Sequence, residues 1–490
     1  MRRNRFQVTC ALVVALFSLA GVMTTSTMAA ALTPTAGPLP VTCPSGARVV
    51  GRTDSIQAAI QAAGSGGSLC VKPGIYRFRT PLRPLAGQTL TFERGAILSG
   101  ARVTTGWRRS GTRWVLDNQR QDFSTPSWLR TYVCKDNPSA CILEGLFRDG
   151  VPLKHVMTLS ALAKGKVYFN NAKDRMFIID DPRGHRMEAT VLAIGIEPSG
   201  AGVTIRGAVI EKMGWLGINA TAPGSTIEDC EIRYVQTTGL RLVGNDHVVR
   251  RNFIHHNGNT GIQATDGSRL LMEANEVAFN NYLHFGGRPV PHHEGGAKFL
   301  RTSDVTLRGN YSHHNDGDGW WFDTDNIRVI VEDNVFKANT RYGFFYETSY
   351  DAVIRNNVFR RNATDPTWNG SHLRITTSKN VEVVGNRFED SGWSTLSLDW
   401  MDRGMGAYGE HQLTGLFVHD NVFQLSNGWV GTPYGFDAIT AAPSNNRFQA
   451  NRYIVPDVSA SWWMWGPGRR IGWAKWNAFG FDLGGSVEVG

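Results

Sequence analysis

The chain has 490 residues, of which 41% are hydrophobic and 19% charged, with 54 Gly, 20 Pro and a formal net charge of +9. That is enough apolar chain for a sizeable core, and too even a composition for a collagen-like or disordered protein. The basic excess is spread thinly, with no basic run and no basic stripe at helical spacing, which argues against a nucleic-acid partner.

The chain opens Met1-Arg2-Arg3-Asn4-Arg5, continues through an apolar stretch over 8–22 and offers Ala29-Ala30-Ala31 as a small-x-small cleavage site. This predicts a signal peptide over 1–31 and a secreted protein. No later segment approaches twenty apolar residues, so no membrane span is expected. Cleavage would remove three arginines and no acid, lowering the formal charge to +6. Five cysteines would remain in an oxidising compartment. The expected disulfides are Cys43 with Cys70 and Cys134 with Cys141, leaving Cys230 a buried thiol.

Within an amino-terminal cap and first coils (32–103), Asp54-Ser55-Ile56-Gln57-Ala58-Ala59-Ile60 reads as the start of a capped amphipathic helix, followed by Leu69-Cys70-Val71-Lys72-Pro73-Gly74-Ile75-Tyr76. A region over 104–200, with Trp107, Trp114, Trp128 and the run from Val167 to Pro182, reads as a small β-rich insertion. From 201 to 455 one phrase recurs, beginning at Ala208, Cys230, Asn252, Asn275, Asn310, Asn334, Asn357, Asn386, Asn421 and Asn451, at spacings of 22, 22, 23, 35, 24, 23, 29, 35 and 30. Such a period marks a solenoid. Gly-led phrases such as Gly296-Ala297-Lys298-Phe299 and Gly343-Phe344-Phe345-Tyr346 precede the Asn, and two short strands per 23 residues leave no room for a helix. The expected fold class is therefore all-β, a parallel β-helix with stacked coils, an amino-terminal helical cap and the β-rich insertion. The Asn column reads as an internal amide ladder at a corner where Asn or Gly adopts the left-handed conformation cheaply. The tail over 456–490 holds Trp462, Trp463, Trp465, Trp473 and Trp476, and reads as a hydrophobic lid on the last coil.

The helix, strand and Pro73-Gly74-Ile75-Tyr76 run resembles the amino-terminal end of the pectate-lyase-like superfamily of right-handed parallel β-helices. The run from Val167 to Pro182 is similar to one in bacterial β-helix glycosidases, and the tail resembles that of many bacterial parallel β-helix proteins. The resemblance implies a right-handed helix in a protein related to polysaccharide-degrading enzymes.

Strand alternation sorts the Gly-led phrase into inward residues, such as Phe322 and Tyr346, and two outward files. One holds Arg241, Gln263, Lys298, Trp321, Phe345, Arg374 and Ser397. The other holds Thr265, Leu300, Asp323, Glu347, Thr376 and Asp399. Like charges in one file repel unless a cation, a shared proton or a substrate relieves them, so Asp323, Glu347 and Asp399 are candidate catalytic carboxylates. Rung spacing puts the first two about 5 Å apart and the last two about 10 Å apart at the backbone, which fits either geometry of paired-carboxylate glycoside hydrolysis or a Ca²⁺ site. Extra chain at 281–294, 363–370 and 401–411 would wall a groove beside these rungs. Trp321, Trp368, Trp393 and Trp400 are candidate sugar platforms. His284, His292, His293 and Glu294 lie in the first wall, with His292, His293 and Arg241 as substrate-binding candidates.

The run Gly296-Ala297-Lys298-Phe299 with Asn315-Asp316-Gly317-Asp318-Gly319-Trp320 resembles part of a calcium-dependent pectate lyase. That resemblance implies Ca²⁺ at Asp316, Asp318 and Asp325, and the base and cation that β-elimination needs could come from Lys298, Arg374 and Arg241. Gly317 and Trp321 stand where its pattern wants acids, and Phe345 where a base would be welcome. The expected function is a glycoside hydrolase acting as a monomer on a polysaccharide, with no required cofactor. The alternatives are a Ca²⁺-dependent lyase on an acidic polysaccharide and a non-catalytic carbohydrate-binding protein.

Overall fold

The computed structural model describes residues 36–490 except 124, 128, 287–294, 368, 434–443 and 467, and the side chain of residue 132. The expected signal peptide, Trp128, His292, His293, Glu294 and Trp368 lie outside the described residues.

Each coil carries three strands rather than two. One coil is Tyr342–Glu347, Tyr350–Arg355 and Val358–Arg360, and each pairs in parallel with its counterpart in the next coil, Ser371–Thr376, Lys379–Val384 and Arg387–Glu389. The bend between the first two strands is very short. In Thr260–Glu273 and Gly295–Arg308 they run on as one strand, turned by left-handed residues such as Asp266 and Arg301. The bend over Arg301-Thr302-Ser303-Asp304 holds no Gly or Pro, so the sequence does not announce the second strand there. The stacked coils form a parallel β-helix and make the protein all-β.

Inward positions build a continuous core. Phe336, Phe359, Phe388, Phe423 and Tyr453 stack coil on coil at centroid spacings of 5.1, 4.8, 4.7 and 5.1 Å. Beside them runs the amide ladder. Asn334 illustrates its unit: Nδ2 donates to the Leu307 carbonyl (3.0 Å) and to Asn357 Oδ1 (2.9 Å), while its own Oδ1 accepts from the backbone N–H and Nδ2 of Asn310. The ladder Asn itself is not the left-handed residue. The residue before it is, as at Asp333 (φ 58°), Asn356 (φ 56°) and Asp420 (φ 53°), so the corner turns one position earlier and leaves the amide aimed inward.

A second ladder lies five residues on, through Asn257, Asn280, Asn315, Asn339 and Asn362. It explains the Gly-led phrase. A Cβ on Gly319 would lie 2.6 Å from Asn339 Nδ2 and 2.4 Å from the Gly343 carbonyl. Glycine is there for space, since its φ is not positive.

At the amino-terminal end, helix Ile56–Ala63 is capped by Ser55, whose hydroxyl accepts from Ala58 N–H, and buries Ile56 and Ile60. Between Ala101 and Thr190 the chain leaves the solenoid to form largely antiparallel sheets with their own core. Strands Thr89–Phe92 and Ala96–Ser99 stack directly on Thr204–Arg206 and Val209–Glu211, which follow the excursion. Both expected disulfides are present and Cys230 is a buried free thiol. Trp463, Trp465 and Trp476 pack with Phe448 and Phe481 over the last coil. Among the described residues no helix is long and apolar enough to cross a membrane.

Asn334→Ala would remove the side-chain donor to the Leu307 carbonyl and leave the Asn310 backbone N–H and one N–H of its side-chain amide without their acceptor. A loss of about 3 kcal/mol, read by chemical denaturation, is expected from these unsatisfied groups. A loss no larger than that of an exposed Asn→Ala change would show that the ladder carries no stability.

Candidate active site

Parallel pairing fixes which outward side chains meet. It aligns Gln263, Lys298, Trp321, Phe345, Arg374 and Ser397 in one file. Beside it run Leu300, Asp323, Glu347, Thr376 and Asp399. Asp323 and Glu347 therefore sit on adjacent rungs, and Thr376 separates Glu347 from Asp399. Lys298, Trp321, Asp323, Phe345, Glu347 and Arg374 from these files, with Arg341, Tyr342, Thr367, Asn369, Met401 and Arg403, line a cleft of about 560 Å³.

Every charged group on its floor is paired. Lys298 Nζ lies 3.1 Å from Asp323 Oδ2, and Asp323 Oδ1 accepts from Thr324 Oγ1 at 2.8 Å. Glu347 is held at both oxygens, Oε1 by Arg403 Nη2 (2.9 Å) and Oε2 by the Trp321 indole N–H (3.1 Å). Arg374 pairs with Asp399 and donates to the Tyr342 hydroxyl. Arg341 lies 3.6 Å from the fully buried Asp318. Trp321, Tyr342 and Phe345 form a small apolar cluster beneath these charges, with the Trp321 and Phe345 rings stacked at 5.4 Å.

Burial and the neighbouring Asp323 charge raise the Glu347 pKa, against the opposing pull of Arg403, Lys298 and Arg374. Burial also raises Asp399, with Arg374 opposing. Asp318 is pushed up to about 6 by burial, with Arg341 opposing.

The structure gathers Lys298, Asp323, Glu347 and Arg374 into the cleft and puts Asp399 beneath it, 2% exposed and covered by Arg374. Four expectations need correction. Trp321 offers no free face, because it is 6% exposed with Lys298 Nζ 3.5 Å from the ring centroid on one neighbouring rung and Phe345 stacked from the other. Trp400 packs against the core, and Trp393 meets Trp429 edge-on; neither lines the cleft. Asp316, Asp318 and Asp325 do not converge. Asp316 pairs with His284, Asp318 with Arg341 and Asp325 with His411, and among the described residues no three metal-ligand atoms gather on them. The one such grouping among the described residues, Cys43, Cys70 and Glu93, contains a disulfide. Arg241 shares the file of Lys298 two rungs earlier, bonds Asn219 and stays outside the cleft.

Sequence reasoning missed Arg341, Tyr342 and Arg403. Arg403 lay within the excursion at 401–411, so the loop was visible but not its reach. Tyr342 sits where strand alternation would point it inward with Phe344, and instead joins Phe345 and Arg374 outside.

A family model described as "right handed beta helix region" matches residues 192–285 and 217–388, and the solenoid is a right-handed parallel β-helix. No curated protein matches the chain. Among solved structures, a complex of XylC with xylose superposes with a TM-score of 0.55 at 13% identity, covering 82% of this chain and 80% of that one. The A-module of the Azotobacter vinelandii mannuronan C-5 epimerase AlgE4 reaches 0.46 at 13% identity, covering 79% and 95%. The catalytic unit of a GH87 α-1,3-glucanase from Streptomyces thermodiastaticus strain HF3-3 reaches 0.44 at 12%, covering 92% and 68%. At such identities the likeness is one of fold.

Arg374→Ala would leave the buried Asp399 carboxylate uncompensated, so a loss of about 3 kcal/mol in unfolding free energy is expected. Adding Asp399→Asn should recover much of it. A double variant no more stable than the single one would mean that the pair does not carry the effect.

Proposed function

We propose that the protein is a glycoside hydrolase acting on a polysaccharide in the cleft over Asp323 and Glu347. The observation that carries this reading is the placement of two outward carboxylates on adjacent rungs of one cleft floor. Glu347, with its raised pKa, suits the general acid that protonates the glycosidic oxygen. Asp323, beside Lys298, suits the ionised partner that stabilises or attacks the anomeric carbon. Arg374 and Asp399 support the floor from below. No step is assigned to a cofactor. The two disulfides accord with action outside the cell.

The cleft favours hydrolysis over β-elimination for a specific reason. Elimination from a uronate needs a cation to neutralise the substrate carboxylate. Lys298 and Arg374, the expected donors of that charge, already balance Asp323 and Asp399. A purely binding role is disfavoured by the covered faces of Trp321 and the inward packing of Trp400, which leave little aromatic surface for sugar rings.

The test is a polysaccharide panel with Ca²⁺ and with EDTA, reading new reducing ends and absorbance near 235 nm together. Reducing ends without absorbance are expected, and Glu347→Gln should lower the rate about 10³-fold. Full activity in Glu347→Gln would remove that residue from the mechanism. Rising absorbance would replace the hydrolase with a lyase, and silence across the panel would favour a binding protein.

A further inference from the structure

Arg403 follows Asp399 by four residues, yet its guanidinium contacts Glu347, two rungs earlier. The chain achieves this by leaving the coil after Asp399 and running back across the cleft before Leu413 re-enters the core. Its start is tied to the scaffold by Thr377, whose Oγ1 accepts from Met401 N–H (2.9 Å) and donates to the Met401 carbonyl (3.2 Å). Beyond Arg403, Met405–Gly406 pairs antiparallel with Gly409–Glu410 in a small hairpin.

That hairpin is clasped to the rung of Asp323. Asp325, at a left-handed turn (φ 55°), accepts at Oδ1 from both His411 Nε2 (2.9 Å) and Ala407 N–H (3.0 Å). Tyr350, one rung on, donates to the Gly409 carbonyl at 2.6 Å, with its ring 5.4 Å from that of His411. His411 is 7% exposed. Gly406 fills the middle of the clasp: a Cβ there would lie 2.2 Å from His411 Nε2, 2.3 Å from the Tyr350 hydroxyl and 2.4 Å from Asp325 Oδ1. Three elements far apart in sequence converge on a backbone position where a side chain would displace the polar ends that form the clasp.

We infer that Asp325, Gly406 and His411 are positioning residues, which fasten the strap 401–411 across the cleft and thereby set the Arg403 guanidinium on Glu347. The catalytic consequence rests on the hydrolase reading, whereas the clasp does not. Glu347 faces Asp323, Lys298, Arg374 and Arg403, and of these only Arg403 is carried by the strap. Releasing the strap removes one of the cations that hold the Glu347 pKa down. A general acid at that position would then keep its proton to higher pH.

The experiment compares the intact protein with His411→Ala, His411→Gln, Gly406→Ala and Arg403→Ala. By hydrogen exchange and mass spectrometry, His411→Ala and Gly406→Ala should speed exchange of peptides spanning 401–411, with Trp320–Asp323 and Tyr342–Glu347 unchanged. His411→Gln, which keeps a donor to Asp325, should restore protection. Unchanged exchange in both disrupting variants would overturn the clasp. A thermal cycle tests its link to Glu347: the Tm shift caused by Arg403→Ala should vanish on the His411→Ala background. An equal shift on both backgrounds would overturn the positioning role. On any polysaccharide that is cleaved, Arg403→Ala and His411→Ala should both move the alkaline limb of kcat/KM to higher pH. A displaced limb in Arg403→Ala alone would count against it. If nothing on the panel is cleaved, the hydrolase reading fails by itself, and the exchange and thermal arms still decide the clasp.

Discussion

The hydrogen bond between one asparagine amide and the next is the constraint on which the rest of this protein depends. A primary amide has two N–H donors and one carbonyl. In each coil it serves the backbone carbonyl of the coil before it and the side-chain oxygen of the coil after it, while its own oxygen receives two donors. The ladder therefore has a direction, and its ends need different chemistry. At the start, Cys230 offers only a backbone N–H to Asn252. At the finish, Asn451 donates to Asp482, which has no amide proton and so needs no further acceptor. The other oxygen of Asp482 receives Tyr453 and Trp476, so the carboxylate that closes the ladder also anchors the aromatic lid. The shorter ladder ends likewise in a different side chain: His372 Nδ1 receives the Asn362 amide and Nε2 bonds the Glu389 carbonyl. Burial holds that imidazole neutral, with its pKa near 3.

Amide ladders flanking one corner strand, from Cys230 to Asp482 on one side and from Asn257 to His372 on the other, fix the register of the coils they cross and so hold the outward files in place. A slip of one residue would turn each file inward. With register fixed at the ladders, extra chain can be carried between rungs without shifting the files. One of the longest phrase spacings, Asn386 to Asn421, spans segment 401–411, which leaves the coil after Asp399 and brings Arg403 to Glu347.

Most of that scaffold was legible. The Asn period, the inward alternation through Phe299, Phe322 and Tyr346, the disulfides and the two outward files all follow from spacing that local chain geometry must respect. The second strand of each coil was not, because its bends use residues such as Arg301 and Thr348, to which propensity assigns no turn. The second ladder was present in the sequence at the same spacing but was masked by the His and Phe residues around it. The site was legible as a set of rungs and illegible as a set of contacts. Whether Trp321 meets a sugar or a lysine, and whether Asp325 binds a cation or His411, depends on side-chain reach between segments 23 to 86 residues apart. No period encodes that.

The charge balance of the cleft gives the clearest link between packing and chemistry. Lys298, Arg374 and Arg403 stand against Asp323, Glu347 and Asp399, three against three when all are ionised, over an aromatic base that limits hydration. Buried charges of this kind persist only as a matched set, because removing one leaves its partner uncompensated. Glu347 is the member least well served: Asp323 repels it from the adjacent rung, and burial outweighs the pull of its cations. A proton on Glu347 relieves that repulsion but leaves the set one cation in excess. Passing the proton to a leaving oxygen restores the balance. Under the hydrolase reading, the same pairing that allows charge to be buried beneath a sugar therefore also favours the direction of proton transfer that glycosidic cleavage requires.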